Sequence, residues 1–546
     1  MKTLFSLLLS AGFLLTNISG FSQYIPGALS YHEQAFMFSN YNYTGSARIQ
    51  GLGNTQISLG GDVSSALSNP AGLGFYNRSE MSITPSYNVY SANSSYLTNE
   101  TSSSLGNFKI DNLGAVFNKT KDDAIPGNWR GGSFAISFSK INNFNSEIKY
   151  SGLNANNDIL DFYVQDANFQ NVDSDQLGGI TYGAFSTYLI SEFLDGYTGN
   201  NDTTYVPFYE RTFFSEFPTE QYPTNQSEII STSGSQNQWN FSYGGNYGDF
   251  LYFGATLGIQ SLKYNIVKQY AEFYPGLQGD IVDNSLLIEE LQTEGIGVNG
   301  TFGIIARPIN QITIGLSLIT PTYLSMNERY YYSTEANFNN FDMNDYGDYF
   351  DGNYDLIVNP SADFTTFYED NAILDKQIFD NEENFFDYTL TTPMRLNAGA
   401  TFFLNKNGFI SADVEYVDYS ASKLKGNQGS LESENETIKG LYNSVLSFRV
   451  GGEWRIKAFR LRAGYNYEPS PYKKEDIEKK TQTFSAGLGI RKNKYFIDLA
   501  ASYKQFNSIY APYILDNPNN PDLYQTSFVE IENNNLNFAL SVGLFF

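Results

Sequence analysis

Cysteine is absent from the 546 residues, and histidine occurs once, at position 32. The first absence excludes disulfides and thiolate metal sites. The second removes the commonest catalytic base and imidazole ligand from all but one position, and His32 itself reads as a surface or loop residue. Positive charge is scarce: 33 Lys and Arg stand against 58 Asp and Glu, a net charge of −25. That deficit argues against nucleic acid as a partner, because phosphate recognition concentrates Lys and Arg. Long hydrophobic runs are missing too. After residue 22 no window approaches the ~20 apolar residues of a membrane-spanning helix, and mean hydropathy is −0.34. With one histidine, a Ser-His catalytic arrangement is not expected, and the chain reads as a non-enzyme without a cofactor.

What is present points to strands at an interface. Aromatic residues make up 16% of the chain, with 42 Tyr, 44 Phe and 47 Gly, so rings and small residues are abundant without forming apolar blocks. Residues 1–22 read as a cleaved secretory signal. Lys2 gives the basic start, Leu4 to Leu15 the apolar stretch, and Gly20 and Ser22 the small residues before the cut. Beyond it the strongest periodicity is two. In QWNFSYGGNY, Trp239, Phe241, Tyr243 and Tyr247 share one face, and Gln238, Asn240, Ser242 and Asn246 the other. The alternation returns in LYFGATLGIQ, QITIGLSLIT, PMRLNAGATFF, FISADVEYVDY and LNFALSVGLFF.

A soluble sandwich would bury the apolar face against a second sheet. A membrane barrel turns that face to lipid and lines its lumen with the other. Two features favour the barrel. The inward positions carry Gly, Ser, Thr and Asn together with Arg395, Asp413, Glu415, Arg449, Glu453, Arg462 and Asp498. Those charges suit a paired network pinning the wall to whatever fills the lumen. Connections also alternate between tight turns, near Asp249, Pro308, Asn407, Lys457 and Asn493, and long acidic loops such as Tyr330 to Asp387. The expected fold is all-β: a transmembrane antiparallel β-barrel of about 14 strands with long extracellular loops. Strands are placed near 79–90, 108–118, 129–142, 235–247, 250–265, 293–306, 311–327, 391–404, 408–420, 443–457, 458–468, 480–491, 494–508 and 527–546. An even count sets both termini on the periplasmic side. In the last strand Leu536, Phe538, Leu540, Val542, Leu544 and Phe546 share the lipid face, and pairing with the first strand removes free edges.

Ahead of the first strand lies a segment, residues 23–78, too long for a simple tail. It contains Ala47 to Asn54 (ARIQGLGN) and Ser64 to Gly74 (SSALSNPAGLG). Asn69-Pro70-Ala71-Gly72, after a small-residue run and just before the first strand, resembles the FadL family of outer-membrane hydrophobic-compound transporters. Gly295 to Asn299 before Arg307-Pro308, and Thr320-Pro321, look like that family's middle strands; Thr392 to Arg395 through Asp413 and Tyr419 looks similar to a later strand pair, and the strand at Arg462 to Tyr465 also fits. The resemblance covers nearly the whole mature chain, and the acidic loop at 330–387 departs from it. It implies a hatch, residues 23–78, plugging the lumen of a barrel, residues 79–546, in the bacterial outer membrane. It also implies passive uptake of fatty acids or aromatic hydrocarbons, with sideways release into the membrane at a kinked early strand. The terminal aromatic strand would be read by the barrel assembly machinery, and a monomer is expected. Asn69, Pro70, Ala71 and Gly72 are expected to hold the hatch against the early strands. Gly131 and Gly132 are expected to mark the kink, since glycines weaken a strand.

One loop stretch breaks the two-residue period. Ile180 to Leu194 (ITYGAFSTYLISEFL) spaces apolar residues near the helical period, and Phe185, Tyr188, Leu189, Phe193 and Leu194 are the candidate ligand-capturing residues. An apolar loop face needs the barrel mouth, a ligand or neighbouring loops to cover it. Calcium in Asp342–Asp351 lacks EF-hand spacing. The competing function is a non-transporting barrel serving as an attachment or secretion-machinery partner. An apolar passage from the outer loops to the hatch favours transport, and a closed polar lumen favours the partner role.

Overall fold

The computed structural model describes residues 30–546 apart from 43, 122–126, 171, 173, 196–205, 211–222, 275–281, 343–372, 428, 474–479 and 516–525. The expected signal peptide and most of the acidic loop lie outside the described residues. Fourteen antiparallel strands form a closed ring. They are β1 (Glu80–Tyr96), β2 (Asn99–Thr120), β3 (Trp129–Asn143, continued by Ser146–Asn154), β4 (Thr224–Tyr247), β5 (Leu251–Phe273) and β6 (Val282–Ile309). Then follow β7 (Ile312–Ile319 and Tyr323–Asp342), β8 (Ile373–Asp380, Asn384–Thr391 and Arg395–Phe403) and β9 (Gly408–Asp418 and Lys423–Gly426). The ring is completed by β10 (Ser444–Ile456), β11 (Phe459–Glu468), β12 (Thr481–Arg491), β13 (Tyr495–Tyr510) and β14 (Val529–Phe545). It closes where β14 pairs with β1, from Glu80 opposite Phe545 to Tyr96 opposite Val529.

The period-two alternation decides which face is wet. Met81, Phe134, Phe241, Leu257, Phe302, Leu316 and Phe538 stand outward and exposed, and similar residues continue round the ring. The largest apolar patch on a soluble monomer is about 300–600 Å², whereas a continuous girdle of this kind needs lipid to cover it. Among the described residues no helix is long and apolar enough to cross a membrane. The strands make the crossing.

Several strands outrun the expected ranges. β4 has 24 residues; at about 3.3 Å per residue and a tilt near 45° that reaches roughly 55 Å, about twice the ~25 Å apolar band. The surplus projects outward, where both faces are polar and the alternation that marks a membrane strand fades. β7 and β8 are each broken where one continuous strand was expected. Pro321 and Pro393 have no N–H to give the ladder. Threonines fill in: Gly300 N donates to Thr320 Oγ1 and Thr322 N to Thr392 Oγ1, each at 2.9 Å.

The segment from Ser30 to Tyr76 lies inside the ring. It comprises α1 (Tyr31–Ser39), α2 (Ala47–Gln50), α3 (Ser65–Ser68) and a 3₁₀ turn, Pro70–Phe75. It touches wall strands on all sides. Ala47 N donates to Ser541 Oγ of β14, Gln56 N to Asp413 of β9, and Thr256 Oγ1 of β5 to Ala66 O. Among the described residues three loop helices, α4 (Ile159–Gln170), α5 (Gly179–Ser186) and α6 (Glu432–Leu441), stand at the outer end.

Candidate functional site

The luminal segment is fixed by two devices that follow from the inward residues. The first is an ion-pair web. Glu415 receives Arg395 at 3.0 Å and Arg449 at 3.2 Å. Arg462 bridges Glu453 at 2.8 Å and Asp498 at 2.6 Å, and Arg48 of α2 approaches Glu453 at 3.9 Å. Arg395 also donates to Ser39 O at the end of α1, so the wall charges reach the segment itself, as expected of a pinning network. Asp413 accepts both Gln56 N and Ile57 N through one oxygen, at 2.7 and 3.0 Å. Such groups are held because each buried charge has a partner; removing one would strand the other.

The second device is close backbone approach. A Cβ on Gly464 of β11 would lie 2.1 Å from Gly53 N, and one on Gly315 of β7 would lie 2.1 Å from Ile57 O. Only a residue without a side chain lets the two backbones meet there. This explains why so many inward positions are glycine.

Asn69 is fully buried. Its Nδ2 donates to Ile57 O at 2.6 Å and Leu316 O at 3.3 Å, and its Oδ1 accepts Ala71 N at 3.1 Å, capping the turn that Pro70 begins. Pro70 rests on Gly244 and Gly254, and Asn69 on Gly303. The structure therefore docks Asn69-Pro70-Ala71-Gly72 chiefly on β4 to β7. The expectation of the early strands is corrected: the glycines that admit the turn lie on the middle ones. Gly72 packs against Ser65 and Leu59, within the segment.

The expected kink is also displaced. Gly131 and Gly132 are paired on both sides, with Thr120 and Lys119 of β2 and with Asn246 and Gly245 of β4. Gly131 has φ +118° beside a register shift after Trp129, yet the wall is continuous there. The departure comes higher. β2–β3 pairing ends at Asn112 opposite Ser139, and β3 bends through a second register shift between Lys140 and Asn142. Its upper half, Ser146–Asn154, pairs with β4 and slips behind the β1–β2 hairpin, where Tyr150 meets Tyr96 edge-on at 4.8 Å. Asn107 and Asn143 face each other across the parting at 3.3 Å.

Of the loop residues, Leu189 is buried in an apolar cluster with Ile159, Tyr163, Tyr270 and Leu287, while Phe185 and Tyr188 are half-buried on its edge. The expected helix ends early, at Ser186. Tyr188 turns to φ +60°, with Tyr188 N bonded to Phe185 O and Leu189 N to Ala184 O, a Schellman ending with tyrosine where glycine is usual. Phe193 and Leu194 fall in a short strand, Ser191–Asp195, and their side chains lie outside the described residues. The single histidine is not at the surface. His32 is 2% exposed, with Nδ1 2.8 Å from Glu434 on α6. That hydrogen bond is the main cause holding the Glu434 carboxyl below its ordinary range.

Above the pinned portion, between α1 and the wall, is a cavity of about 380 Å³. Phe36, Tyr264, Tyr442, Tyr510 and Ile531 form its apolar part, and Asn42, Ser447, Glu468 and Lys504 a polar end. Sequence reading did not single out Lys504 or Glu468. Each is one more inward polar residue on an alternating strand, and only the convergence of β11, β13 and residue 42 brings them to one space.

No family model matches the sequence, and no curated protein matches it. Among solved structures it is similar to the crystal structure of a Pseudomonas aeruginosa FadL homologue. The TM-score is 0.51 at 12% identity, over 93% of this chain and 99% of that one. It is also similar to the P. putida toluene transporter TodX, with TM-score 0.48, 12% identity, 93% of this chain and 99% of that one. The chain has the FadL-type fold. That shared FadL-type architecture, resting on the first comparison, includes the closed ring of fourteen strands.

Proposed function

We propose that the protein is an outer-membrane channel for the passive uptake of hydrophobic small molecules, of the fatty acid or aromatic hydrocarbon class. The amphipathic cavity carries this reading. Its volume, about 380 Å³, falls in the ~300–1,000 Å³ range of small-molecule sites. An attachment partner has no need of an apolar space enclosed within its wall.

In this reading Phe185 and Tyr188 gather ligand at the outer rim, and Leu189 supports them from the loop core. Asn69, Pro70, Ala71 and Gly72 keep the luminal segment seated as a hatch. Ligand leaves sideways where β2 and β3 part, because a greasy solute gains nothing by entering water. Gly131 and Gly132 form the closed wall below that exit. A cleaved signal peptide exports the chain, the assembly machinery reads β14, and the barrel works as a monomer.

The test is uptake by liposomes containing the full-length barrel, with oleate and toluene as probes. Accumulation above protein-free liposomes is expected for at least one probe, and it should fall when Ile531→Trp fills the cavity. Correctly inserted, heat-modifiable protein that accelerates neither probe would overturn the proposal.

A further inference from the structure

The cavity is not uniformly apolar, and its polar end carries both signs of charge. Lys504 donates to Asn42 Oδ1, and among the described residues no carboxylate pairs with it. This contrasts with Arg395, Arg449 and Arg462, each matched to an acid. Glu468 accepts only Asn466 Nδ2, at 2.8 Å, and among the described residues it has no cation. The two share one cavity without closing on each other.

Register explains the separation. Glu468 pairs with Thr481 and Lys504 with Thr483, so the acid and the amine stand on β11 and β13 with β12 between them. Two strand spacings of about 4.8 Å and a two-residue offset of about 3.4 Å per residue put their backbones roughly 12 Å apart. Both side chains extend into the space. An ammonium and a carboxylate therefore face one volume lined elsewhere mainly by tyrosine, phenylalanine and isoleucine, with Glu33 of α1 and the Arg-paired Glu415 also on its boundary.

We infer that the cavity selects amphiphiles with a zwitterionic head, an ammonium and a carboxylate on one apolar tail or ring. Lys504 takes the ligand carboxylate, Glu468 takes its ammonium, and the aromatic wall takes the tail. A plain hydrocarbon leaves both charges unmatched. A simple carboxylate satisfies Lys504 but brings a like charge toward Glu468, so it is disfavoured by repulsion. The inference rests on the uptake reading and, within its fatty acid class, singles out members that carry an amino group beside the carboxylate.

Three probes of equal chain length separate the possibilities: 2-aminododecanoate, dodecanoate and dodecylamine, bound to the full-length protein in nanodiscs. The amino acid should bind at least about tenfold more tightly than either single-charge probe, since one charged hydrogen bond is worth that much. Glu468→Gln should cost it about tenfold and leave dodecanoate unchanged or tighter, and Glu468→Asp should restore most of the loss. Lys504→Gln should weaken both carboxylates and spare dodecylamine. Equal affinity for dodecanoate and the amino acid, or indifference to Glu468→Gln in folded protein, overturns the zwitterion inference and leaves the uptake reading standing. If no probe binds in a manner sensitive to Lys504→Gln or to Ile531→Trp, the inference falls, and the oleate and toluene uptake assay decides the uptake reading separately.

Discussion

Replacing Asp413 by alanine tests the seating of the luminal segment at a sealed point. One oxygen accepts Gln56 N at 2.7 Å and Ile57 N at 3.0 Å, and the residue is 2% exposed. Hydrogen bonds to a charged group contribute about 1.5–3 kcal/mol each, and the deletion strands two buried N–H groups. The lower bound for both gives about 3 kcal/mol, roughly a 150-fold rise in the locally opened population. The wall should survive, because β9 pairs with β8 and β10 through its backbone. Hydrogen exchange followed by mass spectrometry in nanodiscs reads this directly. Peptides containing Gln56 and Ile57 should exchange about two decades faster, while β9 peptides keep their protection. Asp413→Asn keeps an acceptor oxygen and should retain part of it. Unchanged exchange at Gln56 and Ile57 in the alanine variant would refute the reasoning.

Gly464→Leu should unseat the segment by contact, since the new Cβ would lie 2.1 Å from Gly53 N. Higher single-channel conductance from an assembled barrel is the expected sign, and wild-type conductance would count against the packing argument. Because the chain has no cysteine, Asn107→Cys with Asn143→Cys gives a clean clamp across the β2–β3 parting. Oxidation should stop uptake and reduction restore it, and undiminished uptake by the crosslinked form would rule out that exit. The Glu434 carboxyl is held low by His32, so its share of docking α6 onto α1 is complete above the ordinary carboxylate range. That share is lost as pH falls through the depressed value. Exchange in α6 should accelerate in wild type only under such acid conditions, and Glu434→Gln should abolish the pH step.

The alternation in β4, β5 and β14 made the lipid face legible, and the charges opposite it marked the lumen. The longer outer halves of the strands were not legible, because Thr224 to Gln238, apart from Ile229 and Ile230, is polar on both faces once it clears the membrane. Thr320-Pro321 and Thr392-Pro393 were read only as parts of strands, although each proline breaks one. On β3 itself no glycine marks the β2–β3 parting. It arises from a register shift among Lys140, Ile141 and Asn142, residues compatible with an unbroken strand. His32 was misplaced because its partner, Glu434, is distant in the chain and arrives only with the folded loop. The same distance hid the cavity.

The glycine-lined bed of the luminal segment has a consequence for how the sequence can change. At Gly464 and Gly315 the wall touches the main chain at Gly53 and Ile57, not a side chain. A main chain presents the same shape whatever residues it carries. Side chains of the enclosed segment that avoid this bed are thus free to drift while the shape of the fit persists. The wall glycines have no such latitude, for every alternative adds an atom where none fits. In this molecule the specificity of a lock is written into the socket, and the key is recognised by its spine.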